Sequence, residues 1–204
     1  MIGGPVRDPV GDHLLTPQNS VLVVVDYQPS QFAGVQSVDR DLLLENVIST
    51  VKIAKLFGVP IVHSTINVAT GRGQPTVPEL AEVLEDNPPI DRTSTNAWED
   101  ADYVAAVRAT GRRKLIACAL WTEICMAFQS LDALREGYDV YPVVDAIGGT
   151  SVDAHRAGLE RVVQAGGQPI GWVSLAAELQ RDWARDETAA GVVEIVITER
   201  LQAA

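Results

Sequence analysis

LIACALWTEICMAFQSLDAL, residues 115–134, sets a continuous apolar run against a stretch whose apolar residues recur at helical spacing. The run KLIACAL (114–120) suits a strand covered on both faces, and the residues after it read as a helix to Arg135. EGYD then supplies a turn into a second strand-like run, DVYPVVDA (139–146). Strand, helix and strand in this order imply a parallel pair with a crossover helix.

Outward from this unit the alternation continues. SVLVVVD (20–26) and PIVHST (60–65) read as strands, with a helix between them at RDLLLENVISTVKIAKLFG (40–58) closing on Gly58. TGRGQPTVPEL (70–80) is a turn-rich loop entering a short helix, and PPIDRT (88–93) is a weak, edge-like strand. WEDADYVAAVRATG (98–111) is a helix with acids in its first turn, where the helix dipole favours them. A helix at SVDAHRAGLERVVQAG (151–166), a strand at PIGWV (169–173) and a helix at SLAAELQRDWARD (174–186) complete the series. The expectation is one α/β domain over residues 1–204, three layers deep, with a mainly parallel sheet of about six strands. Pro142 is incompatible with a central ladder position and puts its strand at an edge or a bulge. Residues 1–17 form an N-terminal segment. The tail from 187 to 204 is too apolar for a free solvated end, so it packs on its own domain or reaches another subunit; the sequence leaves both open.

The chain carries a net charge of −11, so neither nucleic acid nor an anionic membrane is an expected partner. Two cysteines, Cys118 and Cys125, make no disulfide framework and match no zinc spacing, and a reducing cytoplasm is the expected compartment. The first fifteen residues hold no long apolar run, so neither a signal peptide nor a transmembrane helix is expected there.

In an open parallel sheet ligands bind beyond the carboxyl ends of the strands. That rule nominates Asp26, Arg92, Trp121 to Cys125, and Asp145. A thiol at a helix N-terminus meets free amides and a favourable dipole, which can lower its pKa from about 8.5 to below 7. Thr122 is the candidate N-cap of that helix, although Cys125 stands where a capping box would place Glu or Gln. A free cysteine is equally a small apolar filler, the reading adopted for Cys118 inside its strand. Asp26 caps its strand end or acts as a proton acceptor.

The segments VLVVVDYQPSQF, PIDRTSTNAWED and ALWTEICMAFQSLDALREGYDVYPVVDA resemble the isochorismatase-like hydrolase superfamily of cysteine hydrolases over about residues 18–184. The resemblance implies a triad with Asp26 as general base, Cys125 as nucleophile and Arg92 where most members carry lysine. Arginine stays protonated, so Arg92 anchors the base without shuttling a proton. The resemblance also implies a cis peptide at Leu120–Trp121, with the amides of Trp121 and Cys125 forming an oxyanion hole. Trp121 replaces a smaller residue; its indole narrows the pocket, stacks on a flat substrate or packs beneath the loop. Gln28, Phe32, Asn96, Trp98 and Trp121 are the pocket candidates. His63 stands alone in its strand, without the histidine partners of metal-bearing members, so neither a catalytic metal nor a cofactor is expected. His13 and His155 fall in no motif.

The activity implied is hydrolysis of a C–N bond in a small amide or carbamoyl substrate through a thioester. A nitrile or ester hydrolase, and an oligomeric binding or thiol-sensing protein with little turnover, are the alternatives. A small-molecule substrate and a homo-oligomer are the partners the resemblance implies.

Overall fold

The computed structural model describes the backbone of residues 7–201 and side chains as far as residue 197; residues 1–6 and 202–204, at the ends of the two terminal segments, lie outside the described residues. Five parallel strands form one sheet in the order β3-β2-β1-β4-β5: β1 (Ser20–Val25), β2 (Ile61–Ile66), β3 (Ile90–Arg92), β4 (Lys114–Ala119) and β5 (Asp139–Pro142). The helices are α1 (Pro29–Gly34), α2 (Arg40–Leu56), α3 (Pro78–Val83), α4 (Ala101–Ala109), α5 (Ala127–Arg135), α6 (Val152–Gln164), α7 (Trp172–Gln180) and α8 (Asp186–Leu201).

Strand periodicity sorts the central strands into two cores. Leu22 and Val24 of β1, with Ile116 and Cys118 of β4, pack against Leu43, Val47 and Val51 of α2, Leu175 of α7 and Val192 of α8. Val21, Val23 and Val25, with Leu115, Ala117 and Ala119, meet Tyr103 and Val107 of α4, Ala133 of α5 and Val162 of α6. Three layers result, and both central strands are buried at every position, which is why they read as unbroken apolar runs.

The expected edges are where the sequence put them: β3 is three residues long, and β5 ends on Pro142. The sixth run, 169–173, shrinks to a single bridge between Val143 and Ile170. Asp145 explains why: its carboxylate accepts from the Trp172 amide at 3.0 Å and draws Trp172 into a helix instead of a strand. That helix then stops at Gln180, earlier than expected, where Arg181 turns left-handed at φ 59°. The tail folds back as α8, with Val192 buried and Gly191 fitted against Leu56 of α2, while Val193 and Ile197 stay exposed.

Candidate active site

β1 ends at Val25, and Asp26 takes φ 64°, a left-handed conformation that Asp tolerates better than most residues. Its amide donates to the Ser64 carbonyl at 3.0 Å, so the turn is tied to β2 while the carboxylate swings above the sheet edge. Arg92, the last residue of β3, meets it there. Arg92 Nη2 donates to Asp26 Oδ2 at 2.5 Å, with both side chains fully buried. Arg92 Nη1 donates to the Ser94 carbonyl, which fixes the guanidinium from behind. The neighbouring Asp91 serves a different purpose, accepting from the Val68 and Ala69 amides at 3.0 and 2.8 Å to anchor the loop after β2.

Cys125 reaches the same place from β4. The Leu120–Trp121 peptide is cis, and residues Thr122–Met126 form a π-helical turn before α5, a device often found at functional sites. Trp121, not Thr122, occupies the N-cap position, and no side chain caps the turn. The Thr122 hydroxyl is instead directed sideways, 2.8 Å from His155 Nδ1 on α6. Cys125 is 7% exposed, and its thiol lies against both members of the ion pair, interacting with Asp26 and with Arg92. The remaining carboxylate oxygen, Asp26 Oδ1, has no conventional hydrogen-bond partner among the described residues.

The electrostatics correct one expectation. Burial, reinforced by the Asp26 carboxylate, pushes the Cys125 thiol up rather than down, with Arg92 only partly opposing it. Burial also raises Asp26 above the usual carboxylate range, again against the pull of Arg92. The π-turn runs straight into α5, but removal of the thiol from water outweighs any favourable field at the start of that helical segment. Burial therefore favours the neutral thiol, while the raised basicity of the carboxylate facing it partly offsets the cost of moving the thiol proton across.

Three of the other candidates make contacts that tie parts of the fold together. Gln28 is buried; its side chain donates to the Ile66 and Gln74 carbonyls and accepts from the Ile66 amide, clamping the loop between them. Asn96 accepts from the Trp98 amide and donates to Asp132. Trp98 packs edge-on against Tyr103 and Tyr138. Phe32, on α1, is half-buried against Tyr27. Trp121 lies over α1: its Nε1 donates to the Gln31 carbonyl at 2.7 Å, and a Cβ on Gly34 would come within 2.3 Å of the indole. His63 is held by the Asn87 carbonyl and Thr76, and among the described residues no three His, Cys, Asp or Glu side chains converge as a metal site. The contacts that sequence reading missed are those of Gly34 with Trp121 and His155 with Thr122. Neither carries a local signal, because each joins segments far apart in the chain.

Known proteins share this arrangement of strands and helices. The chain is 37% identical over 173 residues to the probable hydrolase YcaC of Escherichia coli K12, covering 84% of this chain and 83% of that protein. The YcaC structure from Pseudomonas aeruginosa, solved with hexane-2,5-diol and covalent acrylamide, superposes with a TM-score of 0.85 at 33% identity, covering 94% of this chain and 96% of the other. The E. coli YcaC structure, described as an octameric hydrolase of unknown specificity, gives a TM-score of 0.85 at 34% identity over 94% and 95% of the two chains. The isochorismatase domain model matches residues 20–174, and the chain belongs to that family.

Proposed function

We propose that this protein is a cysteine-dependent hydrolase that cleaves a C–N bond in a small amide or carbamoyl substrate. The observation that carries the reading is the convergence of a buried Asp26–Arg92 ion pair with the Cys125 thiol at the carboxyl edge of the sheet. Asp26 accepts the thiol proton as the sulfur attacks the substrate carbon. Arg92 holds the carboxylate and remains protonated throughout. The amides of Thr122, Ile124 and Met126 are committed to the Gly148 and Trp121 carbonyls. Those of Trp121 and Cys125 are the donors proposed for the oxyanion. The proton on Asp26 then passes to the departing nitrogen. Water, deprotonated by the same carboxylate, hydrolyses the thioester and returns the proton to sulfur.

Two findings in relatives support the hydrolytic class and the substrate size. The E. coli relative is described as a hydrolase, and the P. aeruginosa relative holds acrylamide, a small amide, covalently. The test is ammonia or amine release across a panel of primary amides, ureido acids, nitriles and esters. Turnover of an amide or ureido acid by the wild type, abolished in Cys125→Ala with folding intact, is the expected result. Full activity in Cys125→Ala would overturn the mechanism, and turnover of nitriles or esters alone would overturn the substrate class.

Assembly belongs to the same proposal. The octameric relative and the exposed Val193 and Ile197 of α8 support a homo-oligomer of this chain. Light scattering after size exclusion should give the mass of several chains, and a monomer at micromolar concentration would remove this part. No described helix is long and apolar enough to cross a membrane. The cytoplasm is the compartment we propose.

A further inference from the structure

We infer that His155, on α6, is a positioning residue for the nucleophile, acting through Thr122; the inference rests on Cys125 being that nucleophile. Thr122 opens the π-turn that carries Cys125, and its hydroxyl meets His155 Nδ1 at 2.8 Å. The same turn is pinned a second time. Glu123 Oε1 accepts from the Thr150 amide at 3.0 Å and from the Thr150 hydroxyl at 2.6 Å. Glu123 Oε2 is buried without a hydrogen-bond partner among the described residues, and its charge is felt at the His155 ring.

The backbone fit is close as well. A Cβ on Gly158 would come within 2.5 Å of Glu123 Cα, and a Cβ on Gly149 would come within 2.5 Å of Glu123 Oε2 and 2.9 Å of His155 Cα. The π-turn therefore rests directly on α6, with two glycines admitting it and His155 fixing its first residue. Because Cys125 is three residues beyond Thr122, a tilt of the turn moves the sulfur relative to Asp26. Errors of about 1 Å in such geometry cost roughly a hundredfold in rate.

Alkylation of Cys125 by acrylamide tests this without knowledge of the substrate. The sulfur bonds the terminal alkene carbon, and the proton it loses is balanced by one gained at the carbon beside the carbonyl. Rates are measured by intact-protein mass spectrometry on the full chain, with thermal unfolding and circular dichroism recorded for each variant. His155→Leu and Thr122→Val should each slow alkylation about tenfold, as loss of one part-buried hydrogen bond predicts. The double variant should be no slower than either single one, because both remove the same contact. His155→Asn, which keeps a polar group near the Nδ1 position, should recover most of the rate. Thr122→Val is nearly isosteric and keeps the test open if His155→Leu fails to fold. Wild-type rates in folded His155→Leu or Thr122→Val would overturn the positioning role alone. A wild-type Cys125 that resists acrylamide would overturn the nucleophile reading and this inference with it.

Discussion

Asp26 is asked to do two things that pull in opposite directions. Paired with Arg92 it should be a weak base, yet burial raises it above the ordinary carboxylate range, and that balance suits the general-base role proposed for it. The thiol opposite is raised too, so thiolate should be scarce at neutral pH. Cys125 alkylation should therefore climb about tenfold per pH unit from about pH 6 to about 7.5, since burial holds the thiol above its ordinary value of about 8.5. A plateau below pH 7 would show a preformed thiolate and contradict this electrostatic picture. The pair also carries stability. Arg92→Ala strands a buried carboxylate and should cost about 3–5 kcal/mol in denaturant unfolding. A loss under 1 kcal/mol would mean that water already reaches the pair.

The elements that present these residues were legible to different degrees. β1 and β4 announce themselves as apolar runs because both of their faces are buried, and their carboxyl ends locate Asp26 and the segment holding Cys125. The π-turn does not announce itself. Five residues at a helix start carry too little periodicity to separate a π-turn from an α-turn, so Thr122 read as a cap when it is a lateral hydrogen-bonding group. The short α1 was equally silent, since its role depends on the indole of Trp121 arriving from a distant part of the chain. That contact makes Gly34 a sensitive position: a methyl there would sit 2.3 Å from the ring. Gly34→Ala should destabilise the protein by about 1–3 kcal/mol through overpacking. Adding Trp121→Val should recover part of that loss in the same urea titration. If Gly34→Ala unfolds at the wild-type midpoint, α1 does not seat against Trp121 as described.

Across the whole molecule the two ends of the sheet have separate duties. Asp26, Arg92 and Cys125 gather at the carboxyl ends of the strands, in keeping with the rule for open parallel sheets. Lys114, the lysine closest in sequence to the Cys125 segment, begins β4 and lies at the other end, as its place in the run predicts. There its ammonium donates to the His13 carbonyl at 2.5 Å and the Leu14 carbonyl at 3.2 Å, strapping the N-terminal segment across a cleft of about 480 Å³ lined also by Asp12, Asp139 and Tyr141. Asp12 reinforces the strap through Arg181 at 3.2 Å. A division of this kind makes a prediction that neither end makes alone. Lys114→Met keeps the apolar stem but leaves two carbonyls without their charged donor, so it should lower unfolding stability by about 1–3 kcal/mol. Cys125 sits beyond the opposite end of the same strand, so its alkylation rate should stay within about twofold of wild type, as expected for distant sites without shared partners. A parallel fall in both quantities would show that the strap and the edge carrying Cys125 are mechanically coupled through β4, and the separation of duties would have to be abandoned.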